Sequence, residues 1–144
     1  MDEAIKQAML SAASGEVPIG AVLVDGLTNE IVACSHNLTI QDNDPTAHAE
    51  INVIRARCRA LGAQRLPDHD LYVTLEPCPM CAAAITNARI RRVYFGAYDP
   101  KGGGVEHGAK IFSHPQCLHK PDVIGGVMEE QCARLLKDFF GDRR

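Results

Sequence analysis

Three observations predict an α/β fold for this 144-residue sequence: a three-layer α/β/α sandwich around a central mixed sheet of about five strands. Strand-like apolar runs alternate with helix-like stretches along most of the chain. Two of those runs, 19–25 and 30–36, are separated only by a turn, so they pair as an antiparallel hairpin and make the sheet mixed. The strand patterns 30–36, 70–75 and 92–97 are separated by helices, as parallel crossovers require.

Residues 3–14 carry Ile5, Met9, Leu10 and Ala13 at helical spacing, and Gly15 stops the pattern. The run 19–25 is compact and apolar, which suits a strand buried on both faces, and Asp25-Gly26-Leu27-Thr28-Asn29 is a turn into the strand 30–36. Residues 37–44 are polar and irregular. Pro45 disfavours helix before it, and Thr46 is a fair N-cap for a helix over 47–61, whose apolar residues Ile51, Ile54, Cys58 and Leu61 recur at steps of three and four. Gly62 ends that helix. Strands are predicted over 70–75 and 92–97, with a short alanine-rich helix from Pro79 or Met80 to Asn87 between them. Residues 98–122 form an irregular loop holding Gly102-Gly103-Gly104 and three histidines, a kind of loop that often carries function. A last strand over 123–127 and a helix over 128–140, with Cys132, Leu135, Leu136, Phe139 and Phe140 apolar, close the chain.

The length suits one domain over 1–144. With 46% hydrophobic and 23% charged residues, nothing in the composition marks a disordered or repeated region, and a net charge of −3 argues against broad, non-specific nucleic-acid binding. The start Met1-Asp2-Glu3 shows no basic-then-apolar leader, so the expectation is a cytoplasmic protein whose cysteines stay reduced as core residues or metal ligands. No stretch approaches the ~18 charge-free apolar residues of a membrane span.

The chemistry concentrates at two predicted helix starts. Cys78 and Cys81 are separated by two residues in Pro77-Cys78-Pro79-Met80-Cys81, so both sulfurs of a first helical turn can face one point. The helix N-terminus favours their thiolate form. His48 would add a third zinc ligand from the other helix. One histidine and two cysteines leave a fourth tetrahedral position for water, the arrangement of a catalytic zinc. Glu50, two residues on from His48, can lie beside the metal without binding it and move protons. Two other readings compete. A structural zinc would need a fourth protein ligand, for which His107, His114 and Cys117 are available, and a thioredoxin-like cysteine pair would leave His48 and Glu50 without a role. His-x-Glu followed by Pro-Cys-x-x-Cys, each at a helix start, matches the signature of zinc deaminases.

The likeness extends beyond that signature. The segments 16–24, Asn37, Asp44-Pro45-Thr46-Ala47-His48-Ala49-Glu50-Ile51 and 72–82 resemble the bacterial tRNA-specific adenosine deaminases, a branch of the cytidine and deoxycytidylate deaminase superfamily, from the first helix to Phe139-Phe140. The resemblance implies a cytidine deaminase-like fold, one Zn2+ per subunit and a homodimer with its substrate sites near the subunit contact. It implies hydrolytic deamination of a nitrogen heterocycle, either the wobble adenosine of a tRNA anticodon loop or a small amino-heterocycle such as a free base, nucleoside or aminotriazine. A non-catalytic partner subunit that kept the fold is a remote third reading, and the presence of Glu50 opposes it. By resemblance Glu50 shuttles protons, Asn37 hydrogen-bonds the base, and the Ala49 backbone helps hold it. Asp99, His114, Phe140 and Arg143 are the further positions at which the resemblance implies substrate contacts.

Several positions depart from the RNA-binding pattern of that branch. Leu38 stands where a basic residue is common, Leu118 where Asn is common, and Tyr98 where a polar residue is frequent. The tail Phe139-Phe140-Gly141-Asp142-Arg143-Arg144 keeps two arginines but gains Asp142. These departures remove phosphate and base contacts that a flipped-out nucleotide would use.

Overall fold

The computed structural model describes residues 1–143; Arg144, one of the two terminal arginines weighed above, lies outside them. The elements run α1 (Asp2–Ala13), β1 (Gly20–Asp25), β2 (Glu30–His36), α2 (Ala49–Leu61), β3 (His69–Leu75), α3 (Pro79–Asn87), β4 (Arg92–Ala97), a 3-10 turn (Ile111–Ser113), β5 (Asp122–Ile124) and α4 (Glu129–Gly141). The five strands lie in the order β2-β1-β3-β4-β5. The hairpin β1/β2 and the pair β1/β3 are antiparallel, whereas β3/β4 and β4/β5 are parallel, so the sheet is mixed as the hairpin predicts. The hairpin register slips by one residue between Leu23 and Val24, leaving Val32 as the extra residue of a bulge.

One face of the sheet presents Ala21, Leu23, Leu71, Val73, Val93 and Phe95 to Ala49 and Val53 of α2 and to Ala82 and Ile85 of α3, forming the core. The other face carries α1 over β1 and α4 over β4. Packing on that second face overturns the expected orientation of α1. The side carrying Met9 and Leu10 is exposed, and Ala4, Ala8 and Ser11 are the buried residues. The cause is a close approach at Gly20, where a Cβ would run into the Ala4 carbonyl oxygen and lie 2.6 Å from Ala8 N. Only the small-residue side of α1 can come that near.

The α2 stripe shifts in the same way. Its buried residues are Ala49, Glu50, Ile51 and Val53, while Leu61 is exposed. Its start also differs from expectation: His48, not Thr46, is the N-cap, in extended conformation. Thr46 is occupied elsewhere, with both its N–H (2.8 Å) and its hydroxyl (2.7 Å) donating to Asp44 Oδ1. The last strand is shorter than predicted, ending at Ile124 before Gly125-Gly126, and Val127 N still donates to Phe95 O at 3.0 Å. Among the described residues, no helix is long and apolar enough to cross a membrane.

Candidate active site

His48 and Cys78 occupy equivalent places, each the extended N-cap residue of its helix. Cys81 is the third residue of α3. Because α2 and α3 pack side by side on one face of the sheet, their N-termini bring the three side chains together. His48 Nδ1 lies 3.6 Å from Cys78 Sγ and 3.5 Å from Cys81 Sγ. With the usual Zn–S and Zn–N lengths of about 2.3 and 2.05 Å, a tetrahedral zinc holds its sulfur and nitrogen ligands about 3.6 Å apart. The donor set and its spacing therefore fit zinc. Among the described residues this is the one cluster of three or more such side chains suited to a metal ion.

The residues that could close the site are engaged elsewhere. His107 Nδ1 lies 2.8 Å from Glu76 Oε1, His114 Nε2 lies 2.6 Å from Ala109 O, and the Cys117 thiol donates to His119 O at 3.0 Å. Three protein ligands leave a position for a reacting molecule, as in catalytic rather than structural zinc sites.

The electrostatics agree. A hydrogen bond from the Cys81 thiol, with His48 beside it, outweighs burial and holds Cys78 down to about 4. The Cys81 thiol is pushed up in turn, by Cys78 and by burial. Glu50 is 4% exposed, and burial pushes its carboxyl up to about 6. It sits in the first turn of α2, where the helix backbone and the Cys81 thiol favour its charged form against burial. A carboxyl group so placed takes up and gives up protons near neutral pH.

Asn37 is buried just past the end of β2. Its neighbours are tied to the residue before His48: Leu38 N donates to Ala47 O (3.0 Å), and Asn52 Nδ2 bonds both His36 O (2.9 Å) and Ala47 O (3.2 Å). Ala49, fully buried, is the first residue of α2, where a backbone N–H has no partner within the helix. Asn37, His48, Ala49, Glu50, Cys78 and Cys81 thus belong to neighbouring backbone segments.

Among the described residues, no hydrogen bond or ion pair joins the other four expected residues to these. Asp99 follows β4 and accepts the N–H groups of Lys101 (3.2 Å) and Gly102 (2.9 Å). His114 is exposed after the 3-10 turn. Phe140 is exposed on α4, and Arg143 stacks 4.2 Å over the Phe139 ring while donating to Gly15 O at 3.3 Å.

Two buried carboxylates near the site were not anticipated. Glu16 holds the loop after Asn37, and Glu76 holds the loop after β4. The available signal was an acidic residue beside an apolar strand pattern, Glu16 just before β1 and Glu76 just after β3.

Comparison with known proteins agrees with this geometry. Residues 1–97 match the family described as the cytidine and deoxycytidylate deaminase zinc-binding region. The whole chain is 56% identical to a tRNA-specific adenosine deaminase of Agrobacterium fabrum, covering 93% of it, and 47% identical to one of Bacillus subtilis, covering 88%. A solved structure from studies of A-to-I editing by tRNA:A34 deaminases at the wobble position of transfer RNA superimposes with a TM-score of 0.92 at 57% identity, covering 94% of this chain and 97% of that one.

Proposed function

This chain belongs to the cytidine and deoxycytidylate deaminase family of zinc-dependent enzymes, and we propose that its substrate is the wobble adenosine of a tRNA anticodon, which it converts to inosine. The observation that carries this reading is the 56% identity over all 144 residues, in a match that spans the whole chain and not the zinc motifs alone.

The reaction adds water across C6 of adenine and expels ammonia. Zinc, held by His48, Cys78 and Cys81, supplies the activated water when bound. Glu50 takes one proton from the attacking water and delivers it to ring N1, then takes the remaining proton of the hydroxyl added at C6 and passes it to the amine, which leaves as ammonia while C6=O forms. Its place beside the ligands, off the metal, leaves its carboxyl free for these transfers. Asn37 and the Ala49 N–H hold the base edge. Asp99, His114, Phe140 and Arg143 contact the flanking RNA. For Arg143 this means sharing a guanidinium that also packs on Phe139. Arg143→Ala therefore weakens stem-loop binding more at low salt than at high salt, and an equal effect at both would remove the tail from the interface.

A homodimer in the cytoplasm belongs to the same reading. Light scattering is expected to give twice the chain mass of 15.6 kDa.

A second reading, deamination of a small heterocycle, is favoured by Leu118, which is 84% exposed where an RNA contact would be polar. Ammonia release by the zinc-loaded protein separates the two, measured on an anticodon stem-loop with a wobble adenosine and on guanine, cytosine, adenine, their nucleosides and aminotriazines. Turnover of the stem-loop is expected. Turnover of one small heterocycle with an inert stem-loop would replace the first reading by the second.

A further inference from the structure

Glu16 is 1% exposed, and four donors converge on its carboxylate. Oε1 accepts the backbone N–H groups of Ile40 (2.8 Å) and Gln41 (2.9 Å). Oε2 accepts from Thr39 Oγ1 (3.3 Å) and from the side-chain Nδ2 of Asn37 (3.4 Å). The Asn37 backbone is held separately, its N–H by Ile19 O at 3.1 Å and its carbonyl by the Ser11 hydroxyl at 3.3 Å. The residue cannot drift, and its one remaining freedom is the direction of its carboxamide. A carboxylate accepts and does not donate, so it dictates that direction: the NH2 end faces Glu16 and the oxygen end faces away. Among the described residues no protein donor meets Asn37 Oδ1, and that oxygen is not among the sealed, unpartnered atoms. It is open to a ligand.

We propose that Glu16 is a positioning residue that fixes the polarity of the Asn37 amide, so that Asn37 meets the base as a hydrogen-bond acceptor and selects a heterocycle presenting an N–H at that edge. This rests on Asn37 being the base contact of the proposed function. It adds the residue that decides which end of Asn37 the base meets. Discrimination of this kind is strong because a mismatched partner leaves a buried polar group unpaired.

The test is a polarity swap, read as kcat and KM for stem-loop deamination. Glu16→Gln keeps one oxygen for Ile40 and Gln41 but turns an NH2 toward Asn37, which must flip. The expected result is a roughly 10- to 100-fold loss in kcat/KM, mostly in KM, with zinc content and fold retained. Asn37→Asp sets two carboxylates face to face and is expected to lose at least as much. In the double variant Glu16→Gln/Asn37→Asp, the new glutamine donates to the new aspartate, which again offers an oxygen to the base, and kcat/KM recovers above either single variant. Thr39→Val removes another donor from the same carboxylate oxygen without altering Asn37, so it lowers the melting temperature and leaves KM unchanged.

Wild-type KM in Glu16→Gln, or a double variant no better than Asn37→Asp, would overturn the proposal. So would a KM shift in Thr39→Val equal to that of Glu16→Gln, which would mark loss of loop order as the cause. A wild-type protein inert on every stem-loop and heterocycle would instead overturn the functional reading on which the proposal rests.

Discussion

His107 Nδ1 lies 2.8 Å from Glu76 Oε1, and the same carboxylate takes the backbone N–H groups of Asp99, Val105, Glu106 and His107 at 3.0–3.3 Å. The Glu76 side chain is completely buried. It directly precedes Pro77-Cys78, and Gly104 N donates to Pro77 O at 2.8 Å, so one carboxylate fastens the loop after β4 to the start of the zinc helix. Glu76→Ala would leave four backbone donors and an imidazole without a partner. The expected cost is about 3 kcal/mol or more in urea unfolding. His107→Ala leaves the backbone donors satisfied and should cost only about 1 kcal/mol. Equal losses in the two variants would mean that the imidazole, not the backbone cradle, holds the loop.

Glu50→Gln should bind about one zinc per chain and melt like the wild type, yet lose roughly 10²–10⁴-fold in turnover. Cys81→Ala should instead lose bound zinc, measured by elemental analysis of the purified protein. Full zinc occupancy in Cys81→Ala would require another ligand set. Near-normal turnover in Glu50→Gln would remove the carboxyl from proton transfer.

Stability should fall on mild acidification because of His69. Burial, and Arg57 beside it, hold this imidazole below its ordinary value of 6.5, against Asp25, Asp68 and Asp70. Arg57 Nε donates to His69 Nε2 at 3.0 Å, which requires that nitrogen to be unprotonated. The unfolded chain therefore binds the proton more readily than the folded one. The stability that neutral His69 contributes is complete above 6.5 and is lost as pH falls from there through the depressed folded value. His69→Gln should flatten the melting temperature between about pH 7 and pH 5. An unchanged slope would assign the acid sensitivity to other groups.

Gly20→Ala should destabilise by about 2–3 kcal/mol, because the added methyl meets the α1 backbone rather than a side chain that can turn aside. Urea unfolding would show this as a lower midpoint at unchanged slope. A neutral result would mean that α1 docks less closely than Ala4 and Ala8 indicate.

The sheet and the zinc ligands were legible because their signals are local. Two apolar runs, 19–25 and 30–36, with only a turn between them give the hairpin, and the two-residue gap between Cys78 and Cys81 is itself the geometry of a helical turn. The buried side of α1 was not legible. Its apolar pattern favours Met9 and Leu10, but the choice is made by Gly20 on another element, and the larger side chains are left in solvent. Glu16 and Glu76 were hidden for a related reason. Their partners lie 21–25 and 23–31 residues away, and most are backbone N–H groups, which carry no sequence signature. The start of α2 was misplaced because Thr46, a good cap by residue type, is recruited by Asp44 two positions earlier.

That His48 and Cys78 are the cap residues of two different helices gives the metal a mechanical part beyond its chemistry. They stand 30 positions apart, so an ion joining them closes a covalent-like ring containing α2 and β3. In the chain-entropy picture of crosslinks, closing a ring of that size constrains the unfolded state by about 3–4 kcal/mol. Zinc affinity and the folding of this half of the molecule then become a single linked equilibrium. A substitution that frays either helix start should loosen the metal even where it touches no ligand, and a chelator should act on this protein as a denaturant.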